Sequence, residues 1–234
     1  MDLSQFTPGS ALVTVVLISL APFFAVMVTS FTKIVVVLSL VRNALGTQQV
    51  PPNVVLNGMA LILTVYVMYP TLGQMYDAAQ GQSRVETTIE GDAPSNGPSP
   101  LENTGDIFGM ADRAKEPLRT FLIKHSDAGE RAFFLRTQQR INASAEQKAA
   151  PLKDRDFVVL IPAFVVKELK LAFQIGFLIF LPFLVVDMVI SNILMAMGMM
   201  MLSPTTISLP FKLLLFVLVD GWVKLTHGLV LSYV

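Results

Sequence analysis

Residues 191–210 read SNILMAMGMMMLSPTTISLP, a stretch without charged residues that is unusually rich in methionine. Six of the chain's twelve methionines lie within residues 188–201. Thioether side chains are apolar, unbranched and deformable, so they can close around an irregular surface and then yield again. Gly198 and Pro204 flank three consecutive methionines, and both residues favour a departure from regular helix. The pattern therefore predicts an adaptable apolar turn.

Two interpretations of these methionines are open. Ordinary helix packing would place Met195 against Met199 and Met197 against Met201, one turn apart. Consecutive residues point in different directions around a helix, however, so one packed face cannot hold Met199, Met200 and Met201 together. A ring of inward-turned loops could present all three to a common axis, where a hydrophobic constriction would exclude water. Met199, Met200 and Met201 are therefore the candidate gasket of a pore.

The composition is typical of a membrane protein. Of the 234 residues, 53% are hydrophobic and 15% are charged, and the mean hydropathy is +0.61. The formal net charge is zero, which argues against a nucleic-acid partner. The absence of cysteine excludes disulfides, thiolate metal sites and cysteine nucleophiles. The start of the chain, MDLSQF, lacks the basic segment of a secretory signal, so we expect the first apolar stretch to be retained.

Long gaps between charged residues define four hydrophobic blocks, at residues 10–41, 54–72, 171–202 and 207–234. Each block is long enough for a membrane-spanning helix or a long helical hairpin, since the hydrocarbon core needs about 20 apolar residues. We find no alternating pattern of a β-barrel, so the sequence predicts an all-α, membrane-associated fold. Prolines within apolar stretches favour kinks or helix ends, and they predict bent hairpins. These prolines are Pro22, Pro162, Pro182 and Pro210.

The segment between the first two blocks predicts a turn. Gly46 can end a helix, and the two prolines at 51–52 prevent its simple continuation, so we expect residues 42–53 to form a polar hairpin turn. Lys33 and Arg42 lie on the side of this turn. The tendency of basic residues to stay inside therefore places the turn in the cytoplasm and residues 77–153 outside.

The middle of the chain is polar, and residues 77–170 hold 27 of the 34 charged residues. Residues 80–106 are rich in Gly, Pro, Ser and Glu and too poor in apolar groups to offset the entropy of ordering, so we expect a mobile loop. Order should resume near Asp112 with two amphipathic helices, the second after a capping box from Asp127 to Glu130. The predicted divisions are an N-terminal hydrophobic hairpin (1–76), a flexible loop (77–110), an extramembrane helical region (111–156) and a C-terminal hydrophobic hairpin with the Met-rich loop (157–234).

Charged residues within or beside the apolar blocks need partners, because an ionised group in hydrocarbon costs about 3 kcal/mol on insertion scales. A hairpin folded between Gly198 and Pro204 would bring Asp187 and Lys212 to the same level, so we predict that they form an ion pair, within or between subunits. A second predicted pair joins Lys33 to Glu168. The alternative is that each side chain reaches a polar interface independently. Lys212 is accompanied by Asp220 and Lys224 in the fourth block.

Signs of catalysis are weak in this sequence. His125 and His227 lie far apart, and neither belongs to a metal-ligand pattern such as H-E-x-x-H. We also find no phosphate-binding glycine motif and no serine nucleophile elbow. We therefore expect a protein that is not an enzyme and that uses no cofactor or metal.

Three blocks carry a family resemblance: SFTKIVVVLSLVRNALGTQQVPPN (30–53), FQIGFLIFLPFLVVDMVISNILMAMGMMMLSP (173–204) and ISLPFKLLLFVLVDGW (207–222). They closely resemble the SctR/FliP family of type III secretion export-apparatus proteins. The resemblance implies a ring of five copies that assembles with SctS-like and SctT-like subunits and contacts a SctU-like switch protein. It also implies that the bent hairpins lie largely above the bilayer plane of the bacterial inner membrane, towards the periplasm.

Carried onto this sequence, the family's Met-rich constriction corresponds to Met199, Met200 and Met201. Its charged positions correspond to the four residues of the two predicted ion pairs. The ending THGLVLSYV is more similar to the injectisome branch than to the flagellar branch. We therefore expect a pore-forming subunit that passes unfolded secretion substrates and contacts membrane lipid. The alternatives are the flagellar counterpart, an ion-coupled secondary transporter, and a scaffold that nucleates assembly without lining a passage.

Overall fold

The computed structural model describes residues 8–47, 49–80, 104–144, 152–199 and 201–234, and all regular structure in these ranges is α-helical. The predicted all-α fold is therefore confirmed. Most of the segment expected to form a mobile loop, and the candidate gasket residue Met200, lie outside the described residues. The helices are α1 (Pro8–Met27), α2 (Phe31–Leu45), α3 (Asn53–Ala79), α4 (Thr104–His125), α5 (Ala128–Ser144), α6 (Phe157–Ala196), α7 (Pro204–Leu218) and α8 (Gly221–Leu231).

The turn between α2 and α3 forms where the sequence predicts it. α2 ends at Leu45, and Gly46 adopts the left-handed conformation at φ 80° while its N–H donates to Asn43 O. The missing Cβ makes this conformation inexpensive for glycine. α3 then begins at Asn53, directly after the two prolines.

Several helix boundaries differ from the prediction. The first hydrophobic block contains a break at residues 28–30, although it has neither glycine nor proline there, and the hydroxyls of Thr29 and Thr32 donate to Val26 O at the end of α1. The predicted loop at 77–110 is too wide, since α3 continues to Ala79 and α4 begins at Thr104 rather than near Asp112. The limits of that loop were predicted from its charged, Gly and Pro residues. Such a composition does not show where polar residues begin to form a helix, so the boundary is imprecise.

The prolines within the apolar stretches do not end their helices. α6 is one helix of 40 residues that continues through Pro162 and Pro182. At the break between them, α7 and α8 are bent by 59°. This break lies at Asp220, a non-glycine residue at φ 53°, ten residues beyond Pro210. A backbone conformation that spacing does not reveal thus produces this bend.

Among the residues that the structure describes, two helices, α3 and α6, are long and apolar enough to cross a membrane, and α7 with α8 would add a third if the bent pair forms one span. The described chain divides into two compact units. Unit 1 comprises residues up to 67 and from 165 onwards, and unit 2 comprises residues 68–164.

The core of unit 1 is built around α2, one face of which is almost inaccessible to solvent. Side chains from α3, α6, α7 and α8 pack against that face. Gly176 of α6 permits close approach, because a Cβ there would lie 2.3 Å from Leu40 Cδ1. The buried members are Ile34, Val37, Leu38, Val41, Ala44, Leu45, Leu56, Ala60, Ala172, Phe183, Phe216, Leu225 and Leu229.

Unit 2 contains the two predicted amphipathic helices, α4 and α5. Asp127 caps α5, since its Oδ2 accepts hydrogen bonds from the N–H groups of Gly129 and Glu130 at 3.0 and 3.4 Å. Phe121 of α4 packs on Phe164 at the start of α6, with 5.8 Å between the ring centroids. Unit 2 therefore has an aromatic contact that ties α4 to α6.

Candidate functional site

The Met-rich segment forms the turn between α6 and α7. α6 ends at Ala196, and Gly198 adopts φ 75° with its N–H donating to Met195 O at 3.1 Å. The Met199 N–H reaches back to Leu194 O at 3.0 Å, which completes a Schellman motif. Pro204 then occupies the first turn of α7. Glycine and proline thus end one helix and start the next, as the sequence indicates.

The described methionines of this turn point away from the core of unit 1. Met195, Met197, Met199 and Met201 are all exposed, with Met199 the least exposed at 41% and Met201 fully accessible. Ordinary packing within the subunit, the simpler interpretation of their spacing, is therefore not what the structure contains. Exposed thioethers at a turn can instead make contacts outside the subunit.

More than two helical turns away from the methionines, the structure joins Asp187 of α6 to Lys212 of α7. Lys212 Nζ lies 2.6 Å from Asp187 Oδ2, and the Lys212 side chain is 5% exposed against 29% for Asp187. Lys212 Nζ also donates to Ala44 O in the last turn of α2, at 3.3 Å. Ser208 donates its hydroxyl to Asp187 Oδ1. The pair therefore connects three helices.

The second predicted pair lies deeper in unit 1. Lys33 Nζ of α2 is 3.3 Å from Glu168 Oε2 of α6, and both side chains are 1% exposed. Tyr233, which follows α8, donates its hydroxyl to Glu168, and its ring centroid lies 3.5 Å from Lys33 Nζ. We call Lys33, Glu168 and Tyr233 the buried ionic cluster. A cation on a ring face gains electrostatic attraction, and the hydroxyl satisfies the carboxylate further.

Sequence reasoning selected four charged residues but missed two hydroxyls, those of Ser208 and Tyr233. Ser208 lies one turn before Lys212, which is a usable signal because residues four apart share a helix face. Tyr233 is 65 residues from Glu168 and 200 from Lys33, so its place in the cluster depends on tertiary packing. The only sequence signal is general: a buried tyrosine usually finds a hydrogen-bond partner.

The remaining titratable candidates are scattered. His125 packs on Phe121 with 4.6 Å between the ring centroids, and His227 lies on α8. Asp220 is the N-cap residue of α8, without a side-chain capping bond, and Lys224 lies one turn later. In the part of the chain that the structure describes, no group of three His, Asp or Glu residues could hold a metal ion.

Comparison with known proteins shows similarity over most of the chain. The FliP family matches residues 13–229. The hypersensitivity response secretion protein HrcR of Ralstonia nicotianae is 48% identical over 225 residues, covering 96% of this chain and 97% of the relative. The Yop proteins translocation protein R of Yersinia pestis is 49% identical over 217 residues, covering 93% and 92%. The flagellar biosynthetic protein FliP of Bacillus subtilis is 43% identical over 216 residues, covering 92% and 87%.

Proposed function

This chain belongs to the FliP family, and we propose that it is a pore-forming core subunit of a type III secretion export gate. It would pass unfolded protein substrates across the bacterial inner membrane, with the assembled complex extending towards the periplasm. The names of the relatives, which refer to secretion, translocation and flagellar biosynthesis, support a role in protein export. The coarser assignment to the export-apparatus family does not depend on the pore.

The main support for the proposal is the Met-rich turn between α6 and α7, two helices that an ion pair joins. The turn presents apolar, deformable side chains outward, while Asp187 and Lys212 fix the two helices more than two helical turns away from it. A soft apolar constriction excludes ions when closed and adapts to a passing chain. Met199, Met200 and Met201 would supply that constriction, with one turn from each copy in a ring.

The exposed apolar surface of the isolated subunit supports an oligomer. Large apolar side chains such as Phe177 of α6 and Tyr66 of α3 are at least 60% exposed in this single chain. Neighbouring copies, SctS-like, SctT-like and SctU-like partners and membrane lipid would cover these faces, as expected when assembly is part of folding. Five copies, the number that the family resemblance implies, would make the contacts heterologous.

The injectisome branch is favoured over the flagellar one. The two relatives above whose names refer to secretion and translocation are 48% and 49% identical, against 43% for the Bacillus subtilis flagellar protein. Restoring secretion of injectisome substrates, but not flagellar assembly, in strains that lack their own subunit would support this choice. Restoring only flagellar assembly would reverse it.

The sealing role can be tested by changing Met199, Met200 and Met201 together to alanine. We expect increased leakage of small ions into cells that contain the assembled complex, because alanine leaves a wider opening. The matched control changes the same three residues to leucine, which keeps the turn apolar and about the same size. We expect leucine to preserve the seal but to slow protein export, since its branched side chain is stiffer than that of methionine.

Other outcomes favour the alternatives. Unchanged sealing in the alanine variant, with intact assembly, would favour a scaffold that does not line the passage. Ion-coupled uptake of a small solute by the purified protein would favour a secondary transporter. The assembled amount of each variant must be measured by native gel electrophoresis, so that a loss of assembly is not mistaken for a loss of sealing.

A further inference from the structure

Tyr233 contacts helices that lie far from it in sequence. It follows α8, yet its hydroxyl donates to Glu168 on α6 and lies 3.5 Å from the carbonyl oxygen of Ser30, just before α2. Its ring covers the ammonium of Lys33. One side chain thus links the end of α8 to both charged members of the buried ionic cluster.

These contacts matter because the cluster is removed from water. A buried ion pair needs further hydrogen bonds to the remaining lone pairs and protons, since desolvation can exceed the attraction between the charges. Tyr233 supplies a neutral donor to the carboxylate and an aromatic face to the cation. Removing the tyrosine would leave both charges less well satisfied and α8 less firmly held.

We propose that Tyr233 is a positioning residue that fastens α8 to α2 and α6 through the Lys33–Glu168 pair. The proposal rests on the function proposed above at one point only, the consequence for the gate. α8 follows α7 after the 59° bend at Asp220, and α7 leads back to the Met-rich turn. Holding α8 therefore fixes the end of α7 opposite to that turn.

The chain carries its own reporter of α8 packing. Trp222 is the single tryptophan and lies in the first turn of α8. It meets Phe216 of α7 edge to face, with 5.2 Å between the ring centroids. A change in the docking of α8 should alter the emission of Trp222 and its quenching by acrylamide, and no second tryptophan of this chain contributes to that signal.

We would compare Tyr233→Phe and Tyr233→Ala in the assembled complex purified in detergent. Tyr233→Phe keeps the ring over Lys33 but removes the donor to Glu168, so we expect an intermediate rise in quenching. Tyr233→Ala removes both contacts and should give a larger rise. The matched control is Tyr76→Phe, because Tyr76 is 65% exposed near the end of α3 and lies in unit 2, so this change should leave the Trp222 signal unchanged.

A double-mutant cycle with Glu168→Gln tests whether the hydroxyl acts through the carboxylate. A hydrogen bond to a charged group shifts the equilibrium between docked and undocked α8 by about tenfold or more. The effect of Tyr233→Phe should therefore largely disappear in a chain that already carries Glu168→Gln. Full additivity of Tyr233→Phe and Glu168→Gln would overturn the proposal. So would unchanged Trp222 quenching in both Tyr233 variants.

A leak measurement separates positioning from simple structural support. A positioning role predicts that Tyr233→Phe assembles normally and leaks more ions per complex. A merely structural role lowers the amount of complex without changing the leak of each one, which would also overturn the proposal. The Trp222 signal does not depend on ion or protein passage. Failure of the methionine experiment would therefore reject the pore while leaving the fastening of α8 separately measurable.

Discussion

Changing only one residue of the Lys33–Glu168 pair should strongly destabilise the protein, whereas replacing both residues with apolar ones should be tolerated. Changing Lys33 to Met leaves the Glu168 carboxylate buried with Tyr233 as its donor, and loss of one partner of a buried pair costs about 3–5 kcal/mol. For a chain of 150–250 residues each kcal/mol lowers Tm by about 2–4 °C, so we expect a decrease of about 6–20 °C. Adding Glu168→Met removes the stranded charge and should recover much of that decrease.

The residual cost of the double variant should come from Tyr233. Its hydroxyl loses the carboxylate acceptor and faces the Ser30 carbonyl oxygen at 3.5 Å, a long hydrogen bond. A buried polar group that is poorly satisfied costs up to about 1–3 kcal/mol. Adding Tyr233→Phe should therefore raise Tm again. Thermal unfolding in detergent, followed by circular dichroism, measures the whole series.

A surface pair provides the control for this series. Lys115 and Asp112 lie 2.7 Å apart, closer than Lys33 and Glu168, but their side chains are 52% and 78% exposed. Lys115→Met should leave Tm almost unchanged, because exposed pairs contribute little. The reasoning is refuted if the Lys33 and Glu168 variants are mild and additive to within about 0.5 kcal/mol, the limit for independent sites.

In the second ion pair, Asp187→Asn should lower Tm more than Lys212→Met. The first change leaves the buried Lys212 ammonium without its carboxylate, whereas the second leaves a partly exposed Asp187 carboxylate that water can reach. Gly198→Ala should destabilise the α6–α7 turn by about 1–2 kcal/mol, because Gly198 has a positive φ. Gly58→Ala in α3, where an added Cβ would meet no atom within 4 Å, should instead stabilise the protein by roughly 0.5–1 kcal/mol. Urea unfolding of the two variants measures both changes. Gly176→Ala should cost about 1–3 kcal/mol through its clash with Leu40, and Leu40→Ala in the same chain should recover part of that loss in Tm.

Sequence reasoning locates the features of this fold that depend on local chemistry. Gly46 and Gly198 end helices at the predicted places because only glycine adopts a positive φ at little cost. Asp127 begins α5 because its carboxylate satisfies free N–H groups. The break between α1 and α2 was missed because it contains neither glycine nor proline, and the bend at Asp220 was missed although Gly221 follows it directly.

The candidate site divides in the same way. Asp187 and Lys212 could be paired from the sequence, because a turn at a known place brings two flanking helices into register. Lys33 and Glu168 could be selected because a charged residue within or beside an apolar block needs a partner, although 135 residues separate them. Tyr233 could not be selected, because no spacing rule connects a residue after α8 to the start of α2. Only the packed unit brings that ring over Lys33.

The distribution of charge and methionine in unit 1 suggests why ion pairs lie beneath an apolar turn. Apolar helix faces alone could slip by one turn, about 5.4 Å, with modest change in burial. Such a slip would carry the Met-rich turn out of the plane shared with neighbouring copies and open the proposed seal. A buried ion pair contributes little net stability but makes the slipped arrangement costly, because each charge would lose its partner. Register fixed by Asp187 and Lys212, together with side chains that deform at the turn, would allow the gate to be both well placed and compliant.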